Sequence, residues 1–137
     1  MTTQPDNRLD EGRDVASSML DDQTARAVSG TAETTGFGRE LADLALEAVY
    51  NRLWTRPGLS ARDRSLVTVS MLIALRAADE LRLHFPAALR NGVTQEELEE
   101  VVYQSSGYAG FPAAHHAFGI ARAVLPAATP TEQEATA

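Results

Sequence analysis

Glu80 and His84 are four residues apart, and their side chains could take part together in a chemical reaction. On a helix, residues four apart share a face, so this carboxylate and imidazole can reach each other or a common ligand. A histidine that titrates near neutral pH can donate a proton, and a carboxylate beside it can orient the ring or raise its pKa. The plainest interpretation is a surface ion pair worth about 0.3 to 0.5 kcal/mol.

The other two histidines, His115 and His116, are adjacent in the sequence. On a helix they point about 100° apart, so at most one of them faces a pocket, and His115 is the weaker functional candidate. His115 could join Glu80 and His84 as a metal site of two histidines and one carboxylate. The histidines lack a tight ligand motif and fall on different helices, so we expect no metal.

Cationic and aromatic side chains could bind an organic acid. An arginine can hold a carboxylate with two parallel hydrogen bonds, and an aromatic wall can pack against a flat ring. Arginines at helix starts are also commonly solvated or paired with acids, and aromatic residues are commonly ordinary core. The substrate-binding candidates are His115, Arg64, Arg82, Trp54 and Tyr108, with Arg62 near Arg64 in the sequence.

Composition excludes several classes of function. A chain of 137 residues is long enough for one domain with a core, and its net charge of -7 disfavours nucleic acid and anionic membrane as partners. Without cysteine, disulfides, thiolate catalysis and thiol redox chemistry are excluded. The apolar stretch "LVTVSMLIAL" is about half of the roughly 20 residues that span a bilayer, and "MTTQPDNRLDEGRD" lacks an apolar signal region. We therefore expect a soluble, cytoplasmic protein.

Helical signals recur along the chain, whereas strict alternation of apolar and polar residues is missing, so the predicted fold class is all-α. Ser60 with Asp63, and Thr94 with Glu97, are typical of helix N-termini, and Asp79 could cap the helix between them. We expect about six helices: a weak one over about 13–28, one over "RELADLALEAVYNRLW" with a buried stripe, and a last one from Pro112. The stripe comprises Leu41, Leu44, Ala45, Ala48, Val49 and Leu53.

The domain prediction is an N-terminal tail over 1–35 with at most a short helix, a helical domain over 36–126, and a disordered tail over 127–137. The helix that contains "LVTVSMLIAL" is apolar on nearly every side. A chain this short cannot cover all those faces with its own helices, which favours a homo-oligomer.

Three segments, "WTRPGLSARDRSLVTVSMLIAL", "ELRLHFPAALRNGVTQEELEEVVYQ" and "YAGFPAA", together resemble the carboxymuconolactone decarboxylase family in order and spacing. The resemblance covers about residues 37–125. It implies an alkylhydroperoxidase-D-like helical subunit in a ring-shaped homo-oligomer, a trimer or hexamer, with no cofactor. The sister branch reduces peroxides with two cysteines, a histidine and an upstream glutamate. Those positions correspond here to Ala77, Glu80, His84 and Ser65, so only the histidine is retained.

The resemblance implies a decarboxylase of a carboxylated lactone, such as 4-carboxymuconolactone, or of a related aromatic-derived acid. Decarboxylation needs an electron sink, which the lactone can supply without a metal or organic cofactor, and a proton donor for the remaining carbon. His84 is the expected donor, and Glu80 either orients it as a carboxylate or donates a hydrogen bond as a neutral acid. Two alternatives stay open: proton transfer on a polyketide-like ring, as in lactone opening, isomerisation or cyclisation, and a non-catalytic ligand-binding or accessory protein.

Overall fold

The computed structural model describes residues 7–29 and 36–127, and every regular element in these two ranges is helical. The all-α prediction is thus confirmed for the described residues, with seven α-helices where we expected about six. The predicted C-terminal tail lies outside the described residues beyond residue 127, as does part of the loop after α2. The helices are α1 (Asn7–Met19), α2 (Asp22–Val28), α3 (Leu41–Ala45), α4 (Ala61–Leu75), α5 (Ala78–Arg90), α6 (Gln95–Tyr108) and α7 (Phe111–Val124).

Two of the predicted N-terminal caps are confirmed. The Ser60 hydroxyl accepts the backbone N–H of Asp63 at the start of α4, and Thr94 and Glu97 form a reciprocal capping box at the start of α6. Pro112 lies in the first turn of α7, as predicted.

The predicted Asp79 cap is wrong. Ala77 occupies the N-cap of α5, without a side-chain hydrogen bond, and Asp79 lies inside the first turn. The reason is the short link between α4 and α5, where Arg76 adopts a left-handed conformation with φ 55° and ends α4. The amide of Ala77 then donates to the carbonyl of Leu72, so α5 starts before an aspartate cap can form.

The larger hydrophobic core lies between α4, α5, α6 and α7. Only one side of α4 enters it, because Val67, Met71 and Leu75 remain exposed. Helix α4, which is apolar on nearly every side, is therefore not covered on all sides by the other described helices of the same chain. The core contains the fully buried Leu81 and Phe85 of α5, together with Val69, Ile73, Val93, Leu98, Val102, Ala113, Ala114, Ala117 and Ile120.

The described N-terminal residues form two helices, not the single weak helix that we predicted over 13–28. They bury Ala16, Met19 and Leu20 in a second core with Tyr50 of the segment that follows α3. The last turn of α5 joins this core through a buried alanine, Ala87. The predicted domain boundary at residue 35 stays a prediction.

The buried stripe that we predicted after residue 40 is wrong. α3 ends at Ala45 and continues as a π-helical segment (Leu46–Asn51), whose turns contain an extra residue. The extra residue rotates the buried face onto Leu46, Tyr50 and Asn51. Five of the six predicted stripe residues are exposed: Leu41, Leu44, Ala48, Val49 and Leu53.

None of the helices in the described residues is long and apolar enough to cross a membrane. The longest of them, α4, has 15 residues.

Replacing Thr94 with alanine should lower the free energy of unfolding by about 0.5 to 2 kcal/mol, because the amide of Glu97 loses its hydrogen-bond acceptor. Thr94→Ser keeps the hydroxyl and is the matched control. Urea unfolding at one fixed protein concentration, followed by circular dichroism, gives both values. An alanine variant as stable as the wild type would contradict a stabilising capping box.

Candidate active site

Glu80 and His84 lie one turn apart on α5, and the His84 Nε2 and Glu80 Oε2 atoms are 4.0 Å apart. Their surroundings differ sharply. His84 is only 8% exposed, whereas the Glu80 side chain is 58% exposed. The pair therefore joins a buried imidazole to a carboxylate at the protein surface, which is not the fully exposed ion pair of the plainest interpretation.

The indole of Trp54 lies parallel to the His84 imidazole, with an interplanar angle of 10° and ring centroids 6.4 Å apart. Trp54 owes this position to the π-helical segment. Its amide donates to the carbonyl of Val49, and the amide of Arg52 donates to Glu47, both across five residues. Hydrogen bonds of the π type thus extend as far as the backbone of Trp54.

Tyr50 is a residue of this site that the sequence analysis missed. It is 7% exposed, and burial followed by the negative charge of Glu80 raises the pKa of its phenol. Tyr50 precedes Trp54 by four residues, so the two aromatic residues share a face of any helical element. That spacing was a usable signal, but the predicted stripe placed Ala48 and Val49 on the buried face instead.

The pKa of His84 is lowered from 6.5 by burial, and the charge of Glu80 offsets part of that decrease. At neutral pH the free protein therefore holds a mainly neutral imidazole. Tyr50, with a raised pKa, stays protonated in the same range. The site thus combines a neutral imidazole, a neutral phenol and a surface carboxylate, an arrangement suited to proton transfer.

The predicted arginines do not join this cluster through any described contact. Arg82 pairs with Asp79 at 3.2 Å on the exposed side of α5. Arg64 donates from Nη2 to the carbonyl of Arg56 at 3.0 Å, and its buried Nε has no hydrogen-bond partner among the described residues. Arg62 pairs with Glu97 in the capping box of α6.

His115 and Tyr108 are exposed, and neither makes a described contact with His84. His115 lies beside Phe118, with ring centroids 6.1 Å apart. Tyr108 is 87% exposed and lines a groove of about 340 Å³ between α4 and α6, to which no residue of the His84 cluster contributes. Their predicted roles in substrate binding stay predictions.

The metal site considered for Glu80, His84 and His115 is not assembled. In residues 7–29 and 36–127, no group of three or more histidine, aspartate or glutamate side chains is close enough to hold a metal ion.

Ser65 occupies the position that corresponds to the upstream glutamate of the peroxide-reducing branch. It is buried in α4, and its hydroxyl accepts a hydrogen bond from the Asn91 amide at 3.0 Å. A neutral pair of serine and asparagine therefore stands where that branch has a carboxylate.

Sequence comparison relates this chain to one family of known proteins. The profile of the carboxymuconolactone decarboxylase family matches residues 39–123. A 4-carboxymuconolactone decarboxylase from Acinetobacter baylyi is 40% identical over 65% of this chain and 66% of its own length. A nitrosuccinic acid decarboxylase from Metarhizium robertsii is 35% identical over 76% of this chain and 71% of its own length. This chain thus spans about two thirds of the length of these relatives, and it belongs to the carboxymuconolactone decarboxylase family.

Proposed function

We propose that this chain is a cofactor-independent decarboxylase of a carboxylated lactone, such as 4-carboxymuconolactone, or of a related aromatic-derived acid. The observation that carries the proposal is the buried imidazole of His84, which stacks with the Trp54 ring and lies 4.0 Å from the Glu80 carboxylate. The identity of 40% to a 4-carboxymuconolactone decarboxylase supports the reaction class. A second relative, a nitrosuccinic acid decarboxylase, keeps an acyclic acid within the proposed substrate range.

In the proposed reaction, the bond between the substrate carbon and its carboxylate breaks and carbon dioxide leaves. The electron pair passes into the unsaturated system conjugated with the lactone carbonyl, so no metal or organic cofactor is needed as an electron sink. A nitro group attached to the carbon that loses the carboxylate can accept the electron pair in the same way. The substrate carbon then takes a proton from the protonated imidazole of His84.

Protonation of His84 depends on what the site contains. Burial lowers the pKa of the imidazole in the free protein. A substrate carboxylate bound beside the ring would favour the imidazolium, because an opposite charge within about 4 to 6 Å stabilises the charged form. Substrate binding would thereby supply the proton donor that the reaction consumes.

Glu80 acts in this proposal as an ionised carboxylate. The alternative, a neutral acid kept protonated by an apolar pocket, is disfavoured by the 58% exposure of its side chain. The carboxylate attracts the imidazolium and biases the orientation of the ring. The role of Glu80 is therefore to orient the His84 ring and to favour its protonated form.

We also propose that the chain works as a homo-oligomer, a trimer or hexamer. Large apolar side chains are exposed on α3, the π-helical segment and α4, where a monomer leaves them in water. Contact between subunits would cover this surface, which includes Leu41, Leu44, Val49, Val67, Met71 and Leu75.

Replacing His84 with alanine should lower turnover by roughly 10² to 10⁴, the usual effect of losing a positioned general acid. Carbon dioxide release is measured with 4-carboxymuconolactone, with bulkier carboxylated lactones and with nitrosuccinic acid. His116→Ala is the matched control and should keep turnover near the wild-type value. His115→Ala should alter substrate preference more than turnover. Wild-type turnover by His84→Ala on the preferred substrate would contradict the role of His84 as proton donor.

The fluorescence of Trp54, the only tryptophan of the chain, should report the titration of His84. An imidazolium quenches a neighbouring indole more strongly than a neutral imidazole does. Emission should therefore fall as the pH decreases, with a midpoint below 6.5, since burial lowers the His84 pKa. Because the imidazolium of the free enzyme exists mainly below that midpoint, kcat/KM should decline as the pH rises through it.

Replacing Glu80 with glutamine should move the fluorescence midpoint to a still lower pH, because the charge that favours the imidazolium is removed. Turnover should fall and its pH dependence should shift in the same direction. His84→Ala abolishes the transition and identifies its source. A wild-type midpoint at or above 6.5, or no shift on Glu80→Gln, would contradict this assignment.

Light scattering at micromolar concentration should give a mass of three or six subunits of 14.7 kDa. The physical reason is the apolar surface that α3 and α4 leave exposed. Met71→Glu, in the middle of that surface, should lower the mass. Ser18→Glu, at an exposed position of α1, should not. A stable monomer for the wild type would contradict the proposal.

A further inference from the structure

Helix α1 approaches the π-helical segment so closely that only glycine fits at one position. A Cβ atom added to Gly12 would lie 2.5 Å from the carbonyl oxygen of Leu46 and 3.3 Å from its Cβ. The first of these atoms belongs to the backbone, so it cannot give way by a change of rotamer. Any larger residue at position 12 must therefore move α1 or the π-helical segment.

A hydrogen bond from a buried side chain to an exposed one fixes the same interface. Asn51, at the end of the π-helical segment, is 9% exposed and donates from Nδ2 to Glu11 Oε2 at 2.7 Å. The other oxygen of Glu11 accepts a hydrogen bond from Asn7 Nδ2 at 2.9 Å. This chain of hydrogen bonds specifies one register of the segment along α1, because a slip by one residue would leave the buried amide of Asn51 unpaired.

The end of α1 also contacts α5, the helix that carries Glu80 and His84. Arg90 of α5 donates from Nη1 to the carbonyl of Met19 at 3.2 Å. Ala16 and Met19 pack in one core with Tyr50 and Ala87. α1 therefore touches both elements that supply the candidate site.

The π-helical segment depends on such support. π-helical turns are rare and occur mostly as local insertions in α-helices. If the segment lost its extra residue and became α-helical, the residues after it would rotate by about 100°. Such a rotation would move Trp54 away from the face of His84.

We propose that α1 positions the candidate active site, with Gly12, Glu11 and Asn51 as positioning residues that hold Trp54 and Tyr50 against α5. These residues act through the π-helical segment, and the inference rests on the proposed function of His84. α1 lies entirely before residues 39–123, the part that matches the family profile. A helix outside the family region thus helps to position the site residues inside it.

The first test replaces Gly12 with alanine. The fluorescence midpoint should move toward 6.5, because a displaced Trp54 leaves the imidazole better solvated, and kcat/KM should fall at least tenfold. The matched control is Gly119→Ala, the same change inside α7, where an added Cβ meets nothing within 4 Å. Circular dichroism should give wild-type helix content for both variants.

The second test exchanges the donor and the acceptor of the hydrogen bond between Asn51 and Glu11. Asn51→Asp alone places two carboxylates against each other and should shift the midpoint and lower kcat/KM as Gly12→Ala does. The double variant Glu11→Gln with Asn51→Asp keeps the net charge and reverses the bond. The glutamine amide introduced at position 11 can donate to the new aspartate, while its oxygen still accepts from Asn7. The double variant should restore the wild-type midpoint and kcat/KM to within about threefold.

The two tests remain decisive if one variant fails to fold. Should Gly12→Ala be insoluble, the comparison of Asn51→Asp with the double variant decides. A purely structural role would lower the thermal midpoint of unfolding without moving the fluorescence midpoint, and that result overturns the proposal. So does a double variant as impaired as Asn51→Asp. The fluorescence readout needs no substrate, so it separates failure of this inference from failure of the proposed reaction.

Discussion

The removal of one imidazole from water is the constraint on which the candidate site depends. His84 is buried on a helix that otherwise contributes Leu81 and Phe85 to the core, so its ring is enclosed by the packing that stabilises α5. Desolvation disfavours the charged form, and the Glu80 carboxylate one turn away opposes that effect from the surface. The balance leaves an imidazole whose protonation responds to any further negative charge brought beside it.

Two hydrophobic cores together form the surroundings of His84. The core between α4 and α7 holds α5 in place, and the smaller core with α1 and α2 brings the π-helical segment onto it. Trp54 and Tyr50 come from that second side, so the site lies where the two cores meet. A change in either core can therefore alter the surroundings of His84 without touching it.

Two of the three helix caps were predictable from local sequence signals, and the third, at Asp79, was not. The capping box at Thr94 and Glu97 and the cap at Ser60 depend on residues three apart, and both are present. The stripe after residue 40 failed in part because an α-helical period was applied to a π-helical segment, which packs closely against Gly12. The same error hid Tyr50. Glu80 and His84 lie on one helix, so their spacing predicted that they are close. The stacking of His84 with Trp54 is a tertiary contact, which helical spacing does not predict.

The hydrogen bond between Asn91 and Ser65 bears on how this scaffold could be redesigned for redox chemistry. Cysteines at positions 77 and 80 would fall at the N-cap and in the first turn of α5, where helix amides stabilise thiolates. Thiols alone would still lack the upstream glutamate that the resemblance places at position 65. Asn91 donates an N–H group to the Ser65 hydroxyl at 3.0 Å, so an acidic side chain introduced at position 65 would have an amide donor close by.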